Sequence, residues 1–559
     1  MSTINFFSLG GMDENEKACY VLEIDGNYYI FNLGITIPVY TKLGIKKIIP
    51  YIDWIEKNSK LIKGIFIGVA SHRNMGALQY VYDKIKNIPI YTSKIGELVL
   101  RSYLNKKSMQ KKPNFTDLNI KPLEALKTIH LGPYPITPFH IVNELPDSYG
   151  FIIGTPDGNI IYIDEFIISS DKSSAFMNEI TRINNITHGK NLLLITNVGN
   201  IAKNIGFTSP NHKSKSFYES VIDKSLTSRV IVGCFDTDLH TFITLAEISK
   251  EKQIPFIIYN PIFMNVFNKI IHEKMFDSNK FPLAPIHKIN ELKRGIILVS
   301  STPDRLFNKL ISLTRDEDEI LKLKNTDKVI LGFKTMSGFE KAEADILDRF
   351  SKLNINIQSL PRTILKMEAS AEDHKFLVNE LKPKYIIPTL GMYSEVIKYS
   401  NRLKDIGYKS DDVIALYNGE LLTIVNGEKV KQKKFVPVNE VYVGNQGSIL
   451  DEGDNILMER QVMSENGIVF FSMLLDDNKK EFDLQNVDLK HFGVVPNDKE
   501  HLDWFNNLSK EAFEFSRSSL KEMGKFDAKE FKPLIKKYIS KQIEKYFNKT
   551  PIVIISVIN

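Results

Sequence analysis

Cysteine and tryptophan are the scarcest side chains in this chain of 559 residues, with two of each. Cys19 and Cys234 lie far apart and form no CxxC pair. That excludes a disulfide framework and a cysteine-based zinc site, and it fits a reducing compartment. Long apolar runs are missing too: residues 253 to 268 are broken by Pro255 and Pro261. The first ten residues carry no basic segment ahead of their short apolar patch, so neither a membrane span nor a targeting segment is expected. The expected location is the cytoplasm. Arginine supplies only 12 of 73 cations. Lysine suits diffuse phosphate contact but lacks the planar guanidinium fork, and a genome biased toward Lys, Asn and Ile codons explains the excess as simply. The eleven histidines stand at least ten residues apart, which removes every HxH, HxxH and HExxH pattern. Walker loops, a helix-opening GxGxxG and a nucleophile elbow are absent as well.

What is present is ordinary globular material, 43% hydrophobic and 25% charged. The length suits roughly three to four domains at ~150 residues each. A net charge of 73 − 67 = +6 only weakly suggests an anionic partner. Apolar runs at 19–24 and 28–32 flank Asp25-Gly26, which predicts a hairpin; Pro156-Asp157-Gly158 predicts a second. Residues 61–70 read as a buried strand and 77–85 as a helix. Between 205 and 360, runs at 230–234, 256–259, 295–300 and 328–333 alternate with helical stretches, the rhythm of a parallel sheet. The charged segment from residue 426 reads as a linker or an exposed strand pair. Near the end, Phe531, Leu534, Ile535, Tyr538, Ile539, Ile543 and Tyr546 share one face of a helix over 528–547, with lysines elsewhere and an apolar strand at 551–557. The stripe and strand exceed what a small unit needs, which suggests an assembly surface.

The order of short strings resembles the ribonuclease J family. Leu9-Gly10-Gly11 looks like its opening turn, Asn32-Leu33-Gly34 falls on its Asp-Ala-Gly, and Leu43-Gly44-Ile45 and Ile48-Ile49-Pro50 follow in order. Lys63-Gly64-Ile65-Phe66-Ile67 is similar to the strand before its metal loop, and Pro146-Asp147-Ser148-Tyr149-Gly150 matches a distinctive string. Lys382-Pro383-Lys384-Tyr385 resembles the return from its inserted domain. The resemblance implies an α/β architecture, an αββα metallo-β-lactamase fold over residues 1–205 and 361–425. A β-CASP α/β domain (206–360) is inserted between the two parts. A linker (426–449) and a small α/β C-terminal domain (450–559) follow. It also implies a two-zinc site for hydrolysis of RNA phosphodiesters, with exonuclease and endonuclease action.

Residue by residue, that second implication fails. The family's His-x-His-x-Asp-His positions fall on Val69, Ser71, Arg73 and Asn74; a one-residue slip would place His72 on the second histidine. The later ligands fall on Asn143, Glu165 and Leu390. Only Glu165 is a good donor, and zinc needs three or four N, O or S ligands. The substrate loop His-Thr-Ser-Gly-His becomes Ile364, Leu365, Lys366, Met367 and Glu368, which lacks the small residues that let backbone approach phosphate. Asp238-Leu239-His240 resembles a family string that would set His240 toward the cleft, where a structural, satisfied histidine is commoner than a catalytic one. The reading is therefore a catalytically silent relative that uses no zinc. It would act as a binding or assembly subunit with an active ribonuclease J or with itself, as a dimer or tetramer, in RNA processing. The alternatives are residual hydrolysis through Asp164, Glu165, Asp147, Glu144 and His140, or a stand-alone RNA-binding module.

Overall fold

A computed structural model of the chain describes residues 2–38, 42–104, 118–169, 176–199, 201, 205–225, 227–260, 264, 266–268, 270, 282–334, 338–444, 449–451, 455–476, 481–496 and 498–558. Two compact units result, Met1–Tyr40 with Lys46–Ile449, and Thr41–Ile45 with Leu450–Asn559.

In the first unit, Thr3–Gly10 pairs antiparallel with Cys19–Ile24, which turns back into Asn27–Phe31. Asp25 and Gly26 take φ of 47° and 78°, the left-handed pair of a tight hairpin turn. Along Cys19–Ile24, Tyr20, Leu22 and Ile24 face one core while Cys19 and Val21 face another. Both faces are buried because this strand lies inside a layered sandwich. Its nine-stranded sheet continues through Ile62–Phe66, Ile90–Thr92 and Ile120–Pro122 on one side and Glu420–Val425 on the other. A six-stranded sheet faces it, from Ile129–Leu131 through Ser148–Thr155 and Asn191–Asn197 to Tyr385–Thr389. Phe6, Phe31, Phe151 and Tyr162 fill the space between the sheets. Helices Leu78–Ile85 and Lys94–Leu104 cover the outside of the first sheet, Ala371–Leu381 and Tyr393–Leu403 that of the second.

Between Asn191–Asn197 and Tyr385–Thr389 the chain builds a five-stranded parallel sheet. Its central strand, Arg229–Phe235, sits between Gly295–Ser301 and Lys328–Leu331. From Arg229–Phe235 the chain crosses toward Phe256–Ile258, and from Lys328–Leu331 toward Asn356–Ser359 on the opposite side. Connections that diverge from adjacent parallel strands leave a crevice at their carboxyl ends.

Residues 428–443 form no free linker. Lys434–Phe435 pairs with Glu420–Val425, and Val441–Val443 pairs with Lys47–Ile49. Positions 445–448 of the expected linker lie outside the described residues.

The second unit is a three-stranded sheet with Ile468–Asp476 at its centre, Glu481–Phe492 antiparallel and Ile552–Ile558 parallel to it. Helices Lys499–Met523 and Ala528–Phe547 pack on one face. Phe531, Ile535, Ile539 and Ile543 are fully buried against this unit's own Phe471, Phe505 and Val553. Those four residues of the stripe expected to be an assembly surface are therefore internal core, while Leu534 and Tyr546 of the same stripe stay exposed. Among the described residues no helix is long and apolar enough to cross a membrane.

Candidate functional site

The strand Ile62–Phe66 runs into a loop and the one-turn helix His72–Met75 at one edge of the sandwich. Backbone bonds pin this loop to the strand ends opposite: Ala18 N donates to Arg73 O (3.1 Å) and Leu33 N to Asn74 O (2.6 Å). The approach is so close that a Cβ on Gly34 would stand 1.6 Å from Arg73 O, so only glycine fits there. Val69 is buried in the apolar layer outside the six-stranded sheet. Asn74 is fully buried and its Nδ2 donates to Val69 O. Ser71 precedes the helix, and His72 pairs with Asp236 at 2.9 Å.

Arg73 points into a cluster of carboxylates. Its Nη2 lies 2.7 Å from Glu165 Oε1 and 3.0 Å from Glu368 Oε1. Burial works against the guanidinium charge, but Glu165 and Glu368 outweigh it and raise the arginine pKa. Burial pushes the Glu165 carboxyl up, Arg73 pulls it back, and Glu368 adds to the rise, so the net direction is upward. Behind it Asp164 accepts hydrogen bonds from Asn32 Nδ2 (2.9 Å), Asn197 Nδ2 (3.2 Å) and the Tyr162 hydroxyl (3.3 Å). This polar knot is set in the apolar space between the sheets, where unpaired groups would be costly.

The other aligned positions serve the backbone. Asn143 is fully buried; its Oδ1 accepts from Leu145 N (2.8 Å) and Ser148 Oγ (3.2 Å), and its Nδ2 donates to Glu165 O. Leu390 is buried among apolar neighbours with φ of 50°. A leucine in the left-handed region is strained by roughly 1–2 kcal/mol, and such strain gathers at functional positions.

The loop 364–368 reaches the crevice of the parallel sheet. Glu368 turns back to Arg73, and Met367 is buried against Val142 and Ile167. Ile364, Leu365 and Lys366 line a crevice together with Glu144, Asp238 and His240. His240 is the second residue of the helix Leu239–Lys252, its N donating to Glu144 O (3.0 Å) and its ring 5.7 Å from that of His212. Burial and the Asp238 charge push the Glu144 carboxyl up to about 8, against Lys366. Burial likewise pushes Asp238 up to about 6, against its hydrogen bond from Thr241.

The acids and histidine read as an alternative catalytic set fall into two groups. Asp164, Glu165 and Glu144 belong to the charge cluster around Arg73 and Lys366. His140 and Asp147 belong to another, which sequence reasoning left incomplete. His140 Nδ1 lies 3.1 Å from Glu179 Oε2 and Nε2 3.3 Å from Asp147 Oδ1. Burial opposes protonation there, yet Asp147 and Glu179 prevail and raise its pKa to about 9. Glu179, Glu368 and Asn32 carry no local signal for these roles; each meets its partner across a long stretch of chain.

These side chains do not fit a pair of zinc ions. A hydrocarbon stands at Val69 and Leu390, an amide engaged by backbone at Asn143, and a cation at Arg73 already paired with the one aligned carboxylate. Among the described residues, no three His, Cys, Asp or Glu side chains are grouped to hold a metal ion.

Two facing mixed sheets between helix layers, with these loops at one edge, define an α/β fold of the metallo-β-lactamase type. A crystal structure of a protein of unknown function from Enterococcus faecalis shares the fold, at a TM-score of 0.54 and 13% identity over 76% of this chain and 100% of that one. The model of the ribonuclease J C-terminal domain matches residues 455–559. Ribonuclease J 2 of Staphylococcus epidermidis is 22% identical over 85% of this chain and 84% of its own. Uncharacterized protein MG423 of Mycoplasma genitalium is 37% identical over the full length of both chains. The chain belongs to the ribonuclease J family.

Proposed function

We propose that this chain is a ribonuclease J-type protein of RNA processing and decay, acting in the cytoplasm, that has exchanged metal-dependent hydrolysis for binding. It serves as a subunit assembling with an active ribonuclease J or with itself. The Arg73 guanidinium, which stands at an aligned metal-ligand position and pairs with Glu165 at another and with Glu368 of the substrate loop, carries this reading. A fixed cation there repels a divalent ion, and without a metal no bound water is made acidic enough to supply hydroxide near neutral pH. The buried Met367 closes the loop that would cradle phosphate.

The test is incubation of the full chain with 5′-monophosphorylated RNA and added zinc or manganese, with elemental analysis of the purified protein. No products and no stoichiometric metal are expected. Cleavage abolished by Glu165→Ala would overturn the silent-site reading. Co-purification with an active ribonuclease J from the same cell tests assembly; a chain that stays monomeric and ignores that enzyme would sink it. RNA binding without any partner is a second reading, favoured by Lys334 and Lys366 lining the crevice. It predicts retention of uncleaved RNA by the lone chain.

A further inference from the structure

We infer that the stacked pair Tyr393 and Tyr417, with the carboxylates around it, is a docking site for an arginine-bearing apolar segment of a partner protein. The two rings lie parallel, 5.9 Å between centroids and 2° between planes. Such a pair is normally half of a buried contact, because aromatic faces left in water contribute no burial. Here Met392 is 46% exposed, Tyr393 45%, Ile397 42% and Tyr417 48%. They are contiguous: Met392 and Tyr393 open the helix Tyr393–Leu403, Ile397 follows one turn on, and Tyr417 stacks from the neighbouring loop. Isolated exposed apolar residues need no explanation, whereas a contiguous patch marks an interaction surface.

The polar surroundings select the occupant. Asp13 Oδ1 accepts from Tyr393 N at 2.8 Å, and Asn418, next to Tyr417, donates from Nδ2 to Glu14 Oε1 at 2.8 Å. Glu440 lies 3.0 Å from Lys17, which Glu14 also holds at 3.2 Å. Lys17 is thus shared by Glu14 and Glu440, of which Glu14 also bonds Asn418 beside the pair, and Asp13 on the Tyr393 backbone carries a further negative charge. Lys398 is exposed on the same helix but about 140° around it from Tyr393 at 3.6 residues per turn. Asp13 and Glu14 beside the rings disfavour a phosphate backbone and favour a cation. Among cations, guanidinium fits best, because it stacks on an aromatic face while its N–H groups reach carboxylates. Met392 and Ile397 add an apolar contact beside it. Tyrosine and arginine are also the side chains that most often dominate protein interfaces. The pair and its carboxylates share no side chain with the Arg73 cluster, so the proposal stands whether or not the cleft hydrolyses RNA.

Fluorescence anisotropy with the full chain and a labelled peptide of Arg-Leu-Gly-Ser repeats tests this, beside lysine and glutamate versions and a labelled oligouridine. The arginine peptide is expected to bind tighter than the lysine one, and the glutamate one not at all. Tyr393→Ser and Tyr417→Ser should each weaken binding at least about fivefold, and Asp13→Asn about threefold, at unchanged melting temperature. Equal binding by wild type and the double tyrosine variant, with both folded, overturns the proposal. Tyrosine-dependent binding of oligouridine in preference to the peptide overturns it too, and would make the pair a nucleobase platform.

Discussion

Replacing Arg73 by methionine leaves the stem and removes the charge, so Glu165 and Glu368 face each other across the gap with no cation between them. Breaking a buried ion pair by deleting one partner costs ~3–5 kcal/mol. Because the Arg73 side chain is 26% exposed, the low end applies, and Arg73→Met should lose about 3 kcal/mol in urea denaturation. Arg73→Met combined with Glu368→Leu should recover part of that loss, which a merely steric role for Arg73 would not allow. His140 supplies a separate charge effect, with a pH signature. Its pKa rises from an ordinary ~6.5 to about 9 in the folded chain. The folded state therefore holds a proton that the unfolded chain has released between these values. The contribution is complete below pH ~6.5 and fades as pH rises through about 9. Denaturation between pH 7 and 10 should show this decline, and His140→Gln should flatten it; identical slopes would refute the role.

At the scale of elements, one carboxylate holds several together. Asp373, in the first turn of Ala371–Leu381, accepts from Ser370 N (2.9 Å), Ser370 Oγ (2.8 Å), Thr208 N (3.0 Å) and Ile168 N (3.1 Å). It caps its own helix and ties down two loops leading to the crevice. Asp373→Ala leaves buried donors unpaired, and at ~1–3 kcal/mol for each such group it should cost more than about 3 kcal/mol. Ser370→Ala, which removes the hydroxyl bonded to Asp373 and Gly206 O but leaves the Thr208 and Ile168 N–H groups paired, should cost less, ~1–2 kcal/mol; comparable losses in thermal unfolding would contradict the tie. Elements with a strong local pattern were legible beforehand. The Asp25-Gly26 turn, the helix Ala528–Phe547 and the parallel strands of the inserted sheet all follow from turn chemistry and periodicity. For Lys434–Phe435 and Val441–Val443 a strand pair is one of two readings, the other a linker, and their partners were not legible, because short edge strands in a charged segment have no periodicity. Val441 pairs with Ile49, a match no local window contains. The site divides the same way. Altered residues at the aligned positions are visible as a list, but Arg73 meets Glu368 across 295 residues, and only folding reveals that pairing. Leu390 shows the limit from the other side: neither its left-handed backbone nor its place in the apolar core can be read from the string Pro388-Thr389-Leu390-Gly391.

At the scale of the molecule, the two units have separate cores, and the second closes on itself. Its buried set runs from Val469 to Ile555, and the stripe on Ala528–Phe547 faces its own sheet and Lys499–Met523. A part whose apolar face is already covered should fold without the rest, since helix stability in proteins comes chiefly from such packing. A fragment of residues 455–559 is therefore expected to unfold cooperatively in urea, and a chain ending at Gly444 to do the same by itself. Ile539→Ala should destabilise the fragment by about 2–5 kcal/mol, as for a large aliphatic residue truncated in a packed core. Leu534→Ala, at a position 41% exposed, should change it by less than about 1 kcal/mol. If the fragment instead melts without cooperativity, or if Leu534→Ala costs as much as Ile539→Ala, the stripe requires a further surface to cover it. Assembly through the C-terminal unit would then regain the support that its buried stripe removes. If the fragment is cooperative and monomeric, the search for a partner surface moves to the first unit, where the exposed tyrosine pair is the patch with both apolar area and a charge preference.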